Sequence, residues 1–272
     1  MFAAALLAGP ANAAAIGIHG VTADGTFVRF DSATPGVLNL LVLGISGLGA
    51  GETIAGLDIR PANGKLYALT IGSGGAGRLY TLNPASGAAS LVGLLSADPA
   101  DVDAPYTALS GTKFGMNFQP AVDRLRVVSD SGMNIRINPA TTGVITDVAL
   151  NPGTPHVVGI AYTNSYPGAS VTTLYDIDSG SDALLNQSNA NGGLLASVGS
   201  LGVATSDIVG FDIVSLNGDD FAYATLRVGG TVGLYTINLT TGAAGLVGSV
   251  LGNPPIIGLA IEPDYIFHNG FD

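Results

Sequence analysis

The groups best suited to chemistry in this sequence are carboxylates that keep a fixed distance from glycines. Asp58 and Asp212 each stand two residues after a glycine inside a short apolar run, Gly56-Leu57-Asp58 and Gly210-Phe211-Asp212. Gly115, Gly159 and Gly258 sit in comparable runs, and the five glycines lie 59, 44, 51 and 48 positions apart. Side chains alternate along an extended chain, so the third and fifth positions counted from each glycine share one face. The third positions are Asp58, Asn117, Ala161, Asp212 and Ala260; the fifth are Arg60, Gln119, Thr163, Val214 and Glu262. Turned toward a common axis, they offer one layer with two carboxylates and an amide. A second layer offers a cation, an amide, a hydroxyl and a carboxylate.

Three uses fit such a set. Asp58, Arg60, Asn117, Gln119, Asp212 and Glu262 can form a pocket that binds a small ligand or a cation. Two carboxyls about 5 to 9.5 Å apart can hydrolyse a glycosidic bond, with Asp58, Asp212 and Glu262 as the candidates. The same groups can also satisfy one another and trapped water, as buried polar groups must. The composition weighs against sugar hydrolysis, because the chain has no Trp and only 7% aromatic residues to serve as stacking platforms.

Arg124, Arg126 and Arg136 place three of the nine cations within thirteen residues. With Asn134 they predict a patch able to grip a carboxylate or phosphate through bidentate contacts. Ion pairing with Asp123, Asp130 or Asp147 is the plainer use of these arginines. The stretch with Asp176, Asp178, Gly180 and Asp182 resembles the start of a calcium loop. Its glycine falls at the fifth position, and Gln187 stands where a bidentate Glu belongs, so an Asx-capped turn accounts for it more simply. No cofactor is therefore expected, with calcium the single candidate. His19, His156 and His268 show no metal-ligand spacing, and no GxSxG elbow is present. The glycine-rich run 72–77 joins two strands and opens no helix, so it is not a phosphate loop.

Strands must position these residues. Residues 54–95 hold four apolar runs, 54–59, 66–71, 78–82 and 89–95, separated by turns of Pro, Asn, Ser and Gly. The outline recurs at 114–147 and 208–251, and more loosely at 156–202. Four-stranded repeats of about 40 to 50 residues mark propeller blades. Residues 256–263 form a first strand with no blade after it. The N-terminal runs AIGIHGVTADG, TFVRFDSATPG and VLNLLVLGIS look like second, third and fourth strands with no first strand before them. Joining the two predicts an all-β propeller of five blades without free closing edges. Six blades is the alternative if the connection 95–112 holds further structure.

A repeat that runs from end to end favours one domain, residues 14–263, between a leader remnant (1–13) and a tail (264–272). The net charge of -11 argues against a nucleic-acid surface, which needs clustered cations. Residues 1–15 are apolar and small, and Ala11-Asn12-Ala13 fits a secretory cleavage site. No other apolar stretch approaches the roughly 20 residues of a spanning helix. With no Cys, stability rests on burial and strand pairing without disulfides. The tail, DYIFHNGFD, is similar to the short aromatic and acidic endings of some secreted bacterial proteins, and a tail docked on the ring is the other reading.

Three long stretches, 115–143, 161–187 and 233–248, resemble the bacterial secreted family known as domain of unknown function 4394. The resemblance spans almost the whole mature chain. It implies a propeller-like repeat fold and an extracytoplasmic, periplasmic or secreted location, and it brings no reaction, substrate or catalytic residue. The expectation is a monomeric binding or interaction module for a small molecule or protein. A hydrolase and a structural surface protein are the alternatives.

Overall fold

Short apolar runs between glycine, asparagine and aspartate turns can satisfy their backbone only by pairing with the next run. The structure, a computed structural model, describes residues 15–22, 24–37 and 43–263. The leader and the tail lie outside the described residues, as do Ala23 and residues 38–42 of the third N-terminal run. No described helix is long and apolar enough to cross a membrane.

The chain opens with β1 (Gly17–Thr22), β2 (Thr26–Asp31) and β3 (Leu43–Gly44). The first complete blade is β4 (Thr53–Arg60), β5 (Lys65–Ile71), β6 (Gly77–Leu82) and β7 (Ala89–Leu94). A two-residue strand, β8 (Ser96–Ala97), precedes the second blade of β9 (Phe114–Gln119), β10 (Arg124–Ser129), β11 (Asn134–Ile137) and β12 (Gly143–Thr146). The third is β13 (Val157–Tyr162), β14 (Leu174–Asp178), β15 (Ala183–Asn189) and β16 (Leu194–Ser200). The fourth is β17 (Thr205–Leu216), β18 (Asp219–Val228), β19 (Thr231–Ile237) and β20 (Ala244–Ser249). The last strand, β21 (Ile256–Ile261), pairs with β1 and completes a fifth sheet in the order β21-β1-β2-β3. The ring therefore closes by hydrogen bonds between the two ends of the chain, with five blades. The connection 95–112 hides no sixth blade, because β8 simply adds in parallel to the outer edge of β12.

The innermost strands β4, β9, β13, β17 and β21 stand side by side around the axis. Their glycines allow it. A Cβ on Gly115 would lie 2.9 Å from the backbone nitrogen of Ile160, and one on Gly258 would lie 3.1 Å from that of Leu57. Backbone thus packs on backbone, and the cavity there measures about 10 Å³, roughly one water. Each of the five seams between blades is filled by its own apolar cluster. The seam between the first and second blades holds fifteen buried apolar side chains, and the seam between the second and third only seven. The thinner seam makes up the difference with polar groups.

Candidate functional site

Three of the six candidate ligand-binding residues meet at the axis. Asp58 accepts the N–H of Ile59 at Oδ1 (2.7 Å) and the N–H of Phe118 at Oδ2 (2.6 Å). Asn117 accepts the N–H of Tyr162 (2.9 Å) and donates to Asp212 Oδ1 (3.0 Å). Asp212 accepts the N–H groups of Ile213 and Ile261, both at 2.8 Å. These five donors are equivalent, each lying three residues after its blade's axial glycine. Where the preceding blade carries Asp or Asn at the third position, that side chain reaches forward across the seam. Where it carries Ala161 or Ala260, the aspartate of the next blade caps its own strand. Three side chains thus satisfy all five donors, a belt that ties neighbouring blades together.

The belt is dry. Asp58, Asn117 and Asp212 are 3%, 1% and 4% exposed, and the cavity beside the two carboxylates measures about 10 Å³. Burial, and then the charge of Asp212, push the Asp58 carboxyl well above the usual carboxylate range. Burial raises Asp212 to about 7, against the hydrogen bonds from Ile261, Ile213 and Asn117. No substrate-sized space adjoins them.

The other three candidates lie elsewhere. Arg60 grips Asp123 of the second blade through two nitrogens and donates to the Tyr67 hydroxyl at 3.3 Å. Gln119 is half-buried at the end of β9, where its carbonyl accepts the N–H of Asp123. Glu262 faces the seam between the fifth and first blades, and there the structure has a cleft.

That cleft, about 630 Å³, has an ionic floor. His19 on β1 stands opposite Arg29 on β2 in the hairpin register, and β21 lies on the other side of His19. Glu262, one residue past β21, therefore arrives next to both. Arg29 donates to it from Nε (2.6 Å) and Nη2 (2.9 Å), and His19 Nε2 donates at 3.0 Å. Gly17 makes room, because a Cβ there would come 2.5 Å from the Glu262 carboxyl carbon. Burial opposes the charge on Glu262, but the hydrogen bonds and charges of His19 and Arg29 outweigh it and lower its pKa to about 2. The His19 ring stacks on Phe27 with centroids 5.3 Å apart, and its Nδ1 is buried without a partner. Across the cleft the first blade contributes the Lys65 ammonium, the hydroxyls of Thr81 and Ser90, and Asn83. No ion-pair partner of Lys65 occurs among the described residues. Sequence reasoning reached Glu262 but missed Arg29, His19 and Lys65 as its neighbours. Arg29 and Glu262 are 233 positions apart, and only the closure of the ring joins them.

Of the arginine patch, the structure brings together Arg126, Asn134 and Arg136, and both arginines pair with Asp147. Arg126 reaches Asp147 at 3.0 Å and Arg136 grips it at 2.8 and 3.0 Å. Arg124 turns away to the carbonyls of Val122 and Asp123. The calcium-like stretch is a hairpin turn in which Asp178 accepts the N–H groups of Gly180 and Ser181 at 2.8 and 3.2 Å. Asp182 instead accepts the N–H of Thr205 at 2.8 Å, so the carboxylates do not converge. His156 lies beside Asp207, at 3.4 Å.

Several solved structures share the general arrangement at low similarity. One is a putative 6-phosphogluconolactonase from Bacteroides uniformis, at 14% identity and TM-score 0.45, over 87% of this chain and 82% of that one. A protein from Lactobacillus plantarum aligns at 18% identity and TM-score 0.44, over 90% and 71%. TolB from Acinetobacter baumannii aligns at 12% and 0.44, over 92% and 67%. Likeness at this level says nothing about activity. No curated protein matches the chain in sequence. The family model of the domain of unknown function DUF4394 matches residues 26–260, nearly the whole five-bladed ring, and the chain belongs to that family.

Proposed function

We propose that this protein is a binding module whose ligand is a small polar molecule carrying an anionic group, held in the cleft between the fifth and first blades. One observation carries this reading: the 630 Å³ cleft has an ion-paired floor of His19, Arg29 and Glu262 and, at its wall, Lys65 with no ion-pair partner among the described residues. Glu262 is already neutralised by Arg29, so Lys65 leaves the cleft with an excess cation in a chain of net charge -11. Thr81, Ser90 and Asn83 add groups suited to hydroxyls. The binding role extends to an extracytoplasmic protein, a location supported by the Ala11-Asn12-Ala13 sequence.

A thermal-shift screen of hydroxy acids, sugar acids and phosphorylated sugars, followed by calorimetry on the best ligand, tests the reading. The expected result is a ligand whose affinity falls at least tenfold in Lys65→Ala. Absence of any shift, or a ligand indifferent to Lys65→Ala, overturns it. The hydrolase alternative rests on Asp58, Asp212 and Glu262. The first two adjoin a cavity of only about 10 Å³, and Glu262, which does line the cleft, is held by Arg29 and His19, so binding is the preferred reading. Product analysis on the same panel checks that alternative directly.

A further inference from the structure

The axis of the ring is closed at the glycines and at the belt, but it opens at the end where the inner strands begin. There the structure has a funnel of about 190 Å³. Its floor takes one apolar side chain from every inner strand: Ile54, Phe114, Val158, Val209 and Ile257. The last four each directly precede the axial glycine of their strand, and they also wall the single-water cavity at the glycines. The funnel therefore ends blindly on close-packed backbone. None of its residues belongs to the belt or lines the cleft.

Two opposite charges stand on its rim. Lys113 immediately precedes β9, and Asp130 fixes the backbone there. The Asp130 N–H donates to the Lys113 carbonyl (3.1 Å), and its carboxylate accepts the N–H and hydroxyl of Thr112 (2.8 and 2.5 Å). The Lys113 ammonium has no ion-pair partner among the described residues. Asp207 is carried by a bulge. β17 pairs with β18 at Thr205 and again at Val209, opposite Val228 and Leu226, so residues 206–208 stand against Arg227 alone. Such a bulge re-aims a side chain out of the ladder. Asp207 Oδ1 accepts the Ser179 hydroxyl (2.8 Å), and His156 Nε2 lies 3.4 Å from the same oxygen without a hydrogen bond. Asp207 Oδ2 has no partner among the described residues, and Lys113 and Asp207 do not pair with each other although they line one funnel.

An apolar floor beneath one unpaired cation and one half-used anion complements a small zwitterion with an apolar body. The ligand's ammonium satisfies Asp207 Oδ2 and its carboxylate satisfies Lys113, both through charge-assisted hydrogen bonds. Its apolar body displaces water from the floor. At about 190 Å³ the funnel is smaller than the roughly 300 Å³ at which drug-sized sites begin, so the ligand has few carbons beyond its charged groups. We propose that the axial funnel binds an aliphatic α-amino acid of the size of valine or leucine. This site is separate from the cleft and does not rest on the function proposed for it.

Calorimetric titration of the full chain with L-valine, L-leucine and L-isoleucine tests the site. At least one should bind with a Kd below about 1 mM. Analogues then probe each contact on the unaltered protein. The amide of the best ligand lacks the carboxylate, its deaminated acid lacks the ammonium, and glycine lacks the apolar body; each should bind at least about tenfold more weakly. Lys113→Ala should weaken the amino acid about tenfold and leave its amide unaffected, and Asp207→Asn should weaken it about tenfold and leave the deaminated acid unaffected. Lys65→Ala, in the cleft, should change none of these affinities. The proposal is overturned by a Kd weaker than about 1 mM for all three amino acids, or by an amide or deaminated acid that binds as well as its parent. A ligand lost in Lys65→Ala and retained in Lys113→Ala also overturns it.

Discussion

Asp212 and Glu262 are both carboxylates beside the closing strand, yet the fold drives them in opposite directions. Asp212 is surrounded by backbone N–H groups and one amide, with no cation in contact among the described residues, so burial dominates and its pKa rises to about 7. Glu262 is also largely buried, but Arg29 and His19 hold it and lower its pKa to about 2. The first carboxylate fastens strands across the axis. The second organises the floor of a cleft that reaches solvent. Both groups are carboxylates on or beside inner strands, Asp212 within β17 and Glu262 one residue past β21, and their neighbours set their pKa values apart.

The contrast is broken most severely by Asp212→Ala. It leaves the N–H groups of Ile213 and Ile261 and the Nδ2 of Asn117 without their acceptor. At about 1–3 kcal/mol for each buried donor, the expected loss is about 3–6 kcal/mol, measured as a fall in the urea midpoint. A loss below about 1 kcal/mol would mean the belt is not structural.

Next in size is the pH dependence of the belt. Both aspartates have folded pKa values above the unfolded value of 3.8. Their contribution is therefore fully present below that value and is lost as pH rises through the folded pKa. Stability should fall by about 2–4 kcal/mol between pH 4 and 8, and the fall should shrink in Asp212→Asn. A wild-type minus Asp212→Asn difference that is flat across this range would refute the shift.

Glu262→Gln should show the reverse sign. Its folded pKa lies below the unfolded 4.5, so its contribution is present above 4.5 and lost as pH falls through about 2. The expected cost is about 1–3 kcal/mol at pH 7, vanishing toward pH 2. A cost that grows on acidification would contradict the ion triad.

The smallest effect on stability belongs to Lys65→Ala, within about 0.5 kcal/mol because the side chain is exposed and has no ion-pair partner among the described residues. Calorimetry should nonetheless show weakened ligand binding. A large change in Tm would show that Lys65 is part of the scaffold.

Much of the fold was legible because blade repetition is a local pattern. The glycine spacing, the strand alternation around Asp58 and Asp212, and the orphan strand at 256–263 each point to a closed ring. The cleft was less legible. Glu262 could be placed on an inner strand, but nothing near it in sequence indicates His19 or Arg29, which reach it through the pairing of β21 with β1. The arginine cluster was half legible: Arg126, Asn134 and Arg136 do meet, while Arg124, the first residue of β10 after the turn, bonds to the turn carbonyls of Val122 and Asp123. Gly17 carried a usable signal, since glycine inside a paired strand often marks a close approach.

The sequence by itself determined five blades, the seam-crossing strand at the terminus and the axial place of Asp58, Asn117 and Asp212, because these follow from period-two alternation and turn chemistry. It also turned Arg60, Gln119 and Glu262 toward the axis, where the structure does not place them. Only the tertiary structure decided what those side chains do. Axial glycines draw the inner strands so close that Asp58, Asn117 and Asp212 meet backbone donors instead of ligand. The closing seam, by contrast, leaves a cleft between blades around Glu262. Packing distance between blades, which no single repeat encodes, separates the two outcomes.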